Sequence, residues 1–296
     1  MLPRRRRAIA TYDLHQHLWP EPFLAALHGR TRPPSLAGNE LVTREGRFAL
    51  DLGAHDPATR IGLLDRDGID VALLSLQASL GLDDLDGEER DALETAWADG
   101  VLELVAASGG RFAAISPSRF RDGFVGVSLG ASEICDLDGA AQTLGEAVER
   151  DVFVFVHPDA GAPPPPGTPP WWEWVAGYPA RMQAAYLSWL ATGRARWPGL
   201  RIVFAMLGGG GPFQLERLAR QGVDVRSALD PRTFFDVSTH GRRAIELCIE
   251  TFGVTQLVYG SDTPVVDSRP TLDAVRGFGD AVTHVLQIDT PTELLR

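Results

Sequence analysis

Apolar residues gather in short runs along the chain, and eight of these runs have the length of a strand. They are Tyr12–Leu14, Val71–Leu76, Phe112–Ser116, Gly126–Leu129, Val152–Val156, Ile202–Leu207, Phe234–Val237 and Leu257–Gly260. Runs such as VFVFV and RIVFAML are continuous, not alternating. Continuous runs belong to strands covered on both faces, as in a parallel sheet wrapped by helices. Amphipathic stretches, among them Glu88–Ala107 and Arg242–Thr251, lie between the runs. Strand and helix in alternation predict a parallel α/β fold. Eight strand units in one chain favour closure into a (β/α)8 TIM barrel, a single domain over residues 1–296. The alternative is an open doubly wound sheet, but no GxGxxG follows the first strand.

Two segments break the alternation and are expected to be insertions after strands 1 and 5. Pro20–Pro57 is rich in Arg and Pro, and Pro158–Pro179 contains APPPPGTPPWWEW. Both follow the C-terminal end of a strand, the face where barrels place their active sites. Proline stiffens the second segment, and its tryptophans argue against disorder. It is therefore expected to pass over the barrel mouth as a lid, with Trp171, Trp172 or Trp174 near the site.

Composition narrows the function. The 296 residues carry a net charge of −11, which argues against nucleic-acid binding. The one basic cluster, Arg4–Arg7, is followed by no apolar core and reads as a solvated tail, not an export signal. No stretch is apolar over the ~18 residues that a membrane span needs. Cys135 and Cys248 are far apart and form no disulfide framework, which fits a reducing, cytoplasmic setting. The chain contains no lysine. Schiff-base chemistry and a modified-lysine metal bridge are thereby excluded.

The residues that carry chemistry stand at strand ends. The first strand ends in DLHQH, and residues two apart on a strand share a side, so His15 and His17 can face one point. His157 closes the apolar VFVFV run, and Asp262 follows the eighth strand in LVYGSDTP. Each alone has a plain structural reading: a hydrogen-bonded core histidine, or an aspartate capping a helix. Together they stand at the C-terminal ends of strands one, five and eight, which converge on a barrel. Three imidazoles and a carboxylate suit one divalent ion, Zn2+ first, with Mn2+ or Fe2+ as alternatives. Trp19, Arg32, Trp171 and Trp172 are candidates for the pocket lining, since Arg pairs with carboxylates and stacks on rings. Gly208–Gly211 reads equally as an anion-holding run of backbone N–H groups or as a tight turn. His28, His55 and His284 are taken as surface or loop residues.

The motifs DLHQHLWP, VFVHP, WPGLRIVFAMLGGGGPFQLERL and LVYGSDTP occur in this order over nearly the whole chain. The sequence thereby resembles the amidohydrolase superfamily, in particular the branch of aminocarboxymuconate semialdehyde decarboxylase, the orsellinate- and resorcylate-type decarboxylases and the pyrone dicarboxylate hydrolases. The resemblance implies a mononuclear site with His15, His17, His157 and Asp262 as ligands. It implies a small aromatic or conjugated carboxylic acid as substrate, non-oxidative decarboxylation as the reaction, and a homodimer. One position departs from the family. Before the glycine run the family carries a histidine that acts as general acid/base, and here Met206 stands there. A thioether cannot shuttle a proton. Three readings follow. His240, in DVSTHG, takes the role. Asp262 and water activated by the ion act alone, as in hydrolysis of a lactone, ester or amide. Or the barrel binds a ligand without turning it over. In the pocket, Met206 is expected to form an apolar wall.

Overall fold

The computed structural model describes residues 10–169 and 171–296; Arg4–Arg7 lie outside them. Eight parallel strands form a barrel: β1 (Tyr12–Gln16), β2 (Val71–Leu74), β3 (Phe112–Pro117), β4 (Gly126–Gly130), β5 (Phe153–His157), β6 (Ile202–Phe204), β7 (Thr233–Asp236) and β8 (Leu257–Val258). Each pairs with its sequence neighbour. Each also overlaps one of the eight apolar runs, so the fold is the predicted (β/α)8 TIM barrel. Hydrogen bonds between β1 and the segment after β8 close it. Leu14 N–H donates to the Tyr259 carbonyl at 2.9 Å, and Asp262 N–H donates to the His15 carbonyl at 2.8 Å.

The continuous apolar runs are continuous because both faces are covered. Phe153, Val154, Phe155 and Val156 have no exposed surface, and neither do Ile202, Val203 and Phe204. Helices Gly87–Ala107 and Arg242–Phe252 fall where amphipathic periodicity places them. Alternation fails once. β3 passes to β4 through a loop without a helix. The 21-residue helix Gly87–Ala107 supplies part of the missing cover. Its Trp97 stacks on Phe124 from that loop, with ring centroids 6.2 Å apart.

Between β1 and the helix Pro57–Asp67 the chain forms a helix, Glu21–His28, and a small antiparallel sheet of Ser35–Ala37, Glu40–Thr43 and Gly46–Ala49. After β5 an irregular coil leads into helical turns at Glu173–Gly177 and then the helix Tyr178–Ser188. Both elaborations start at the C-terminal end of their strand. No helix among the described residues is long and apolar enough to cross a membrane.

Candidate metal centre

Four side chains meet at the C-terminal mouth of the barrel. One ligand atom from each of His15, His17, His157 and Asp262 lies within 4.8 Å of the other three. The Nε2 atoms of His15 and His17 are 3.0 Å apart. Asp262 Oδ1 stands 3.5 Å from the first and 3.2 Å from the second. The three histidines are buried. Asp262 adopts a left-handed backbone, with φ +60°, a conformation that Asp tolerates better than most residues. This turns the carboxylate toward the imidazoles instead of the next helix, so the capping reading is set aside.

The outer nitrogen of each imidazole fixes what the inner one can do. His17 Nδ1 lies 2.9 Å from the Ser75 carbonyl, and His157 Nδ1 lies 2.8 Å from that of Pro158. A carbonyl oxygen only accepts, so both Nδ1 atoms donate. His15 Nδ1 donates to Asp236 Oδ2 at 2.7 Å. Neutral rings with Nδ1 protonated leave three Nε2 lone pairs facing one another. Two acceptors 3.0 Å apart repel unless a cation lies between them. The donor set therefore fits a divalent ion, with outer-sphere partners of the kind that orient metal-bound histidines.

Electrostatics agree for His17 and His157 and run the other way for His15. Burial holds the His17 and His157 imidazoles well below their ordinary pKa, and the neighbouring imidazoles add to this. Burial also pushes His15 down, but Asp236 and Asp262 outweigh it and the net shift is upward. Burial raises the Asp262 carboxyl, opposed by His15 and His157.

These shifts predict how metal-free protein responds to acid. Below about pH 6.5 the unfolded chain protonates the histidines that the fold keeps neutral. Stability from His17 and His157 is therefore fully present above about 6.5 and is lost as pH falls below it. For two protons the slope is at most about 2.7 kcal/mol per pH unit. His15, Asp262 and Asp13, the last pushed up to about 6 by burial, have the opposite sign: their contributions are present at low pH and fade as pH rises through their raised folded values. Because these groups oppose one another, the test is comparative: the drop in Tm from pH 8 to pH 5 should be smaller in chelated His157→Ala than in chelated wild type, and equal drops would refute the His157 contribution.

Sequence reasoning did not single out Asp236. It is fully buried, and besides His15 it accepts from Ser238 Oγ at 2.5 Å. Gly260 makes room for it: a Cβ there would fall 2.1 Å from Asp236 Oδ1 and 2.6 Å from the His15 Cβ. The available signal was a carboxylate ending the apolar TFFD strand. Asp236→Asn should weaken metal retention by about 10–100-fold, the usual effect of losing an outer-sphere partner, which metal-buffered titration measures.

A cavity of about 430 Å3 opens above the four ligands. Its wall includes Gln77, Ser79, Trp174, Val175, Tyr178, Met206, His240, Val265 and Val266. Met206 and His240 are both part of this wall. Trp174 joins them from the coil after β5.

Four expected lining residues are elsewhere. Trp19 is buried, stacked on His55 and hydrogen-bonded through Nε1 to Gln77, so it supports the wall from behind. Arg32 is on the surface, its guanidinium 2.7 Å from Glu89. Trp171 and Trp172 stack on each other at an exposed edge. His55 is not a surface residue. It is buried, and its Nδ1 accepts from the Trp19 backbone N–H at 3.0 Å.

The glycine run is a turn. Met206 to Gly210 all have positive φ, between 51° and 81°. Close packing explains the glycines: a Cβ on Gly209 would fall 2.1 Å from the Pro179 carbonyl. None of the run lines the cavity, so the anion-holding reading is not supported.

Comparison with known proteins agrees with this geometry. The amidohydrolase family model matches residues 12–296, and the chain belongs to that family. It is 24% identical to 2-amino-3-carboxymuconate-6-semialdehyde decarboxylase of Dictyostelium discoideum, over 85% of this chain and 81% of that protein. Among solved structures, 5-carboxyvanillate decarboxylase of Sphingomonas paucimobilis superposes with a TM-score of 0.76 at 17% identity, over 98% of this chain and 99% of that one. A dihydroxybenzoic acid decarboxylase of Polaromonas, solved with manganese and the inhibitor 2-nitroresorcinol, superposes at 0.74 with 16% identity over 97% of both chains.

Proposed function

We propose that this chain is a metal-dependent enzyme that decarboxylates a small aromatic or conjugated carboxylic acid without an oxidant. The observation that carries the reading is the convergence of three Nε2 lone pairs and the Asp262 carboxylate at the floor of one cavity. The names of the relatives, all decarboxylases of such acids, support it. The ligands are His15, His17, His157 and Asp262. A divalent ion held there would supply concentrated positive charge to the acid's carboxylate. We assign Zn2+ on the nitrogen-rich donor set. Manganese, the ion of the Polaromonas enzyme, is the alternative that elemental analysis decides.

The chain's own residues supply the rest. Trp174, Val175, Met206, Val265 and Val266 give an apolar wall against which a planar ring packs. When the bond from the ring to the carboxylate carbon breaks, CO2 leaves and the electron pair stays on the ring carbon. That carbon needs a proton, and His240 is the donor we assign. Its Nδ1 donates to the Ser238 carbonyl at 2.8 Å, so the proton delivered to carbon is the one that Nε2 carries in the imidazolium form, and a neutral ring is left behind. Met206 has no proton to give.

Met206 also motivates the second reading, hydrolysis of an ester, lactone or amide with Asp262 as the base. The two part on product. Metal-loaded protein is incubated with 2,6-dihydroxybenzoate and related acids, and released CO2 is measured beside hydrolysis of aromatic lactones. CO2 lost on chelation and restored by metal supports decarboxylation. Lactone opening alone supports the second reading, and neither activity supports a silent barrel. We place the enzyme in the cytoplasm, as a homodimer.

A further inference from the structure

The two elaborations of the barrel meet over its mouth through one buried carboxylate. Glu45 stands in the turn between the strands Glu40–Thr43 and Gly46–Ala49, where a solvated residue would serve the turn equally well. Its side chain is only 3% exposed. One carboxylate oxygen accepts from the Tyr178 hydroxyl at 2.6 Å, and the other accepts from the Gly161 backbone N–H at 2.6 Å. Arg181 lies 3.7 Å away and stacks its guanidinium over the Tyr178 ring at 5.1 Å. Beside it, Arg44 donates to the Ala160 carbonyl and to Asp84. The bonds of Glu45 to Tyr178 and Gly161 and of Arg44 to Ala160 join residues more than a hundred positions apart, and Tyr178 is part of the metal-facing cavity wall.

Burying a carboxylate is costly unless its partners are fixed. Here the partners are the hydroxyl of a cavity residue and the backbone of the coil that follows β5. We propose that Glu45 is a positioning residue for the cavity: it pins the Tyr178 hydroxyl and the coil after β5 at Gly161, so that Trp174, Val175, Tyr178 and Pro179 form a preorganised wall. The inference rests on the reading of the cavity as the substrate site. Its loss is therefore expected in ligand affinity and not in metal content, because Glu45 touches none of the four ligands.

The test compares metal-loaded wild-type protein with Glu45→Ala, Glu45→Gln, Tyr178→Phe and the double variant Glu45→Ala/Tyr178→Phe. The probe ligand is 2,6-dihydroxybenzoate, and chymotryptic cleavage after Trp171, Trp172 and Trp174 is followed separately. Glu45→Ala should speed that cleavage and weaken probe binding by about 10-fold or more, the usual worth of a charge-assisted hydrogen bond. Where the probe is turned over, KM should rise by the same factor with kcat nearly constant. Glu45→Gln, which keeps the volume and one acceptor, should recover part of both effects. Adding Tyr178→Phe to Glu45→Ala should weaken probe binding little further, since the two act as one unit. Wild-type cleavage and binding in Glu45→Ala would overturn the proposal, as would full additivity in the double variant. If wild-type protein does not bind the probe, the substrate-site reading fails, and the cleavage rates of Glu45→Ala and Glu45→Gln still decide whether the carboxylate pins the coil.

Discussion

His157→Ala is expected to yield a folded barrel that no longer retains its ion. Losing an outer-sphere partner costs about 10–100-fold in affinity, so losing a ligand should cost more than about 100-fold, and turnover should fall with it. His157 is the cleanest of the three histidines to remove. Deleting His15 would leave Asp236, a fully buried carboxylate, with Ser238 alone, and a lost hydrogen bond to a buried group can cost about 1–3 kcal/mol. That variant would confuse misfolding with metal loss. Behind His157 stands only the Pro158 carbonyl. Removing it also removes a buried imidazole that the metal-free fold holds neutral, so the chelated variant should be less sensitive to acid than chelated wild type. The measurements are metal content after dialysis, melting with and without chelator, and turnover. A His157→Ala protein that keeps one ion per chain with wild-type affinity would remove His157 from the ligand set.

The barrel was legible because its signal is redundant. Eight separate apolar runs each carry the mark of a strand buried on both faces, and loss of one helix between β3 and β4 does not erase the pattern. The ligand set was legible for a related reason: histidines and a carboxylate at strand ends are brought together by topology, without any side chain having to be placed. Residues whose roles depend on loop paths were not legible. Trp19 lies two residues beyond His17, yet it turns behind the wall to stack on His55. Arg32 looked suited to a carboxylate, but Glu89 on the helix Gly87–Ala107 takes its charge at the surface. Trp171, Trp172 and Trp174 read alike in sequence, and only the helical turn starting at Glu173 sends the third toward the cavity. Glu45 gave no signal, since a charged residue in a hairpin turn is ordinarily solvated. Its partners come from a coil whose course no periodicity encodes.

His240→Ala is expected to lower kcat by about 10²–10⁴, the usual contribution of a general acid or base, with metal content unchanged. The expectation follows from a need the cavity otherwise leaves unmet. Protonating a ring carbon needs a donor, and Met206 supplies none. Among the cavity residues outside the four ligands, His240 is the one imidazole, and its Nδ1–H is committed to the Ser238 carbonyl, so Nε2 carries any exchange. Met206→His is the complementary change. Position 206 has φ +53°, a region where His is better tolerated than most residues and Met is strained. The substitution should therefore not harm the fold, and it puts an imidazole into the cavity wall. Combining the two changes separates the readings. If His240 is the donor, Met206→His should restore CO2 release to His240→Ala by at least about 10-fold, while adding little to wild-type protein. If the donor is simply missing, Met206→His alone should raise CO2 release, and His240→Ala should change nothing in either background. Unchanged kcat in His240→Ala, measured with saturating acid and one ion per chain, would end the assignment of His240. It would leave the wall at Met206 as the place where this chain's chemistry departs from decarboxylation.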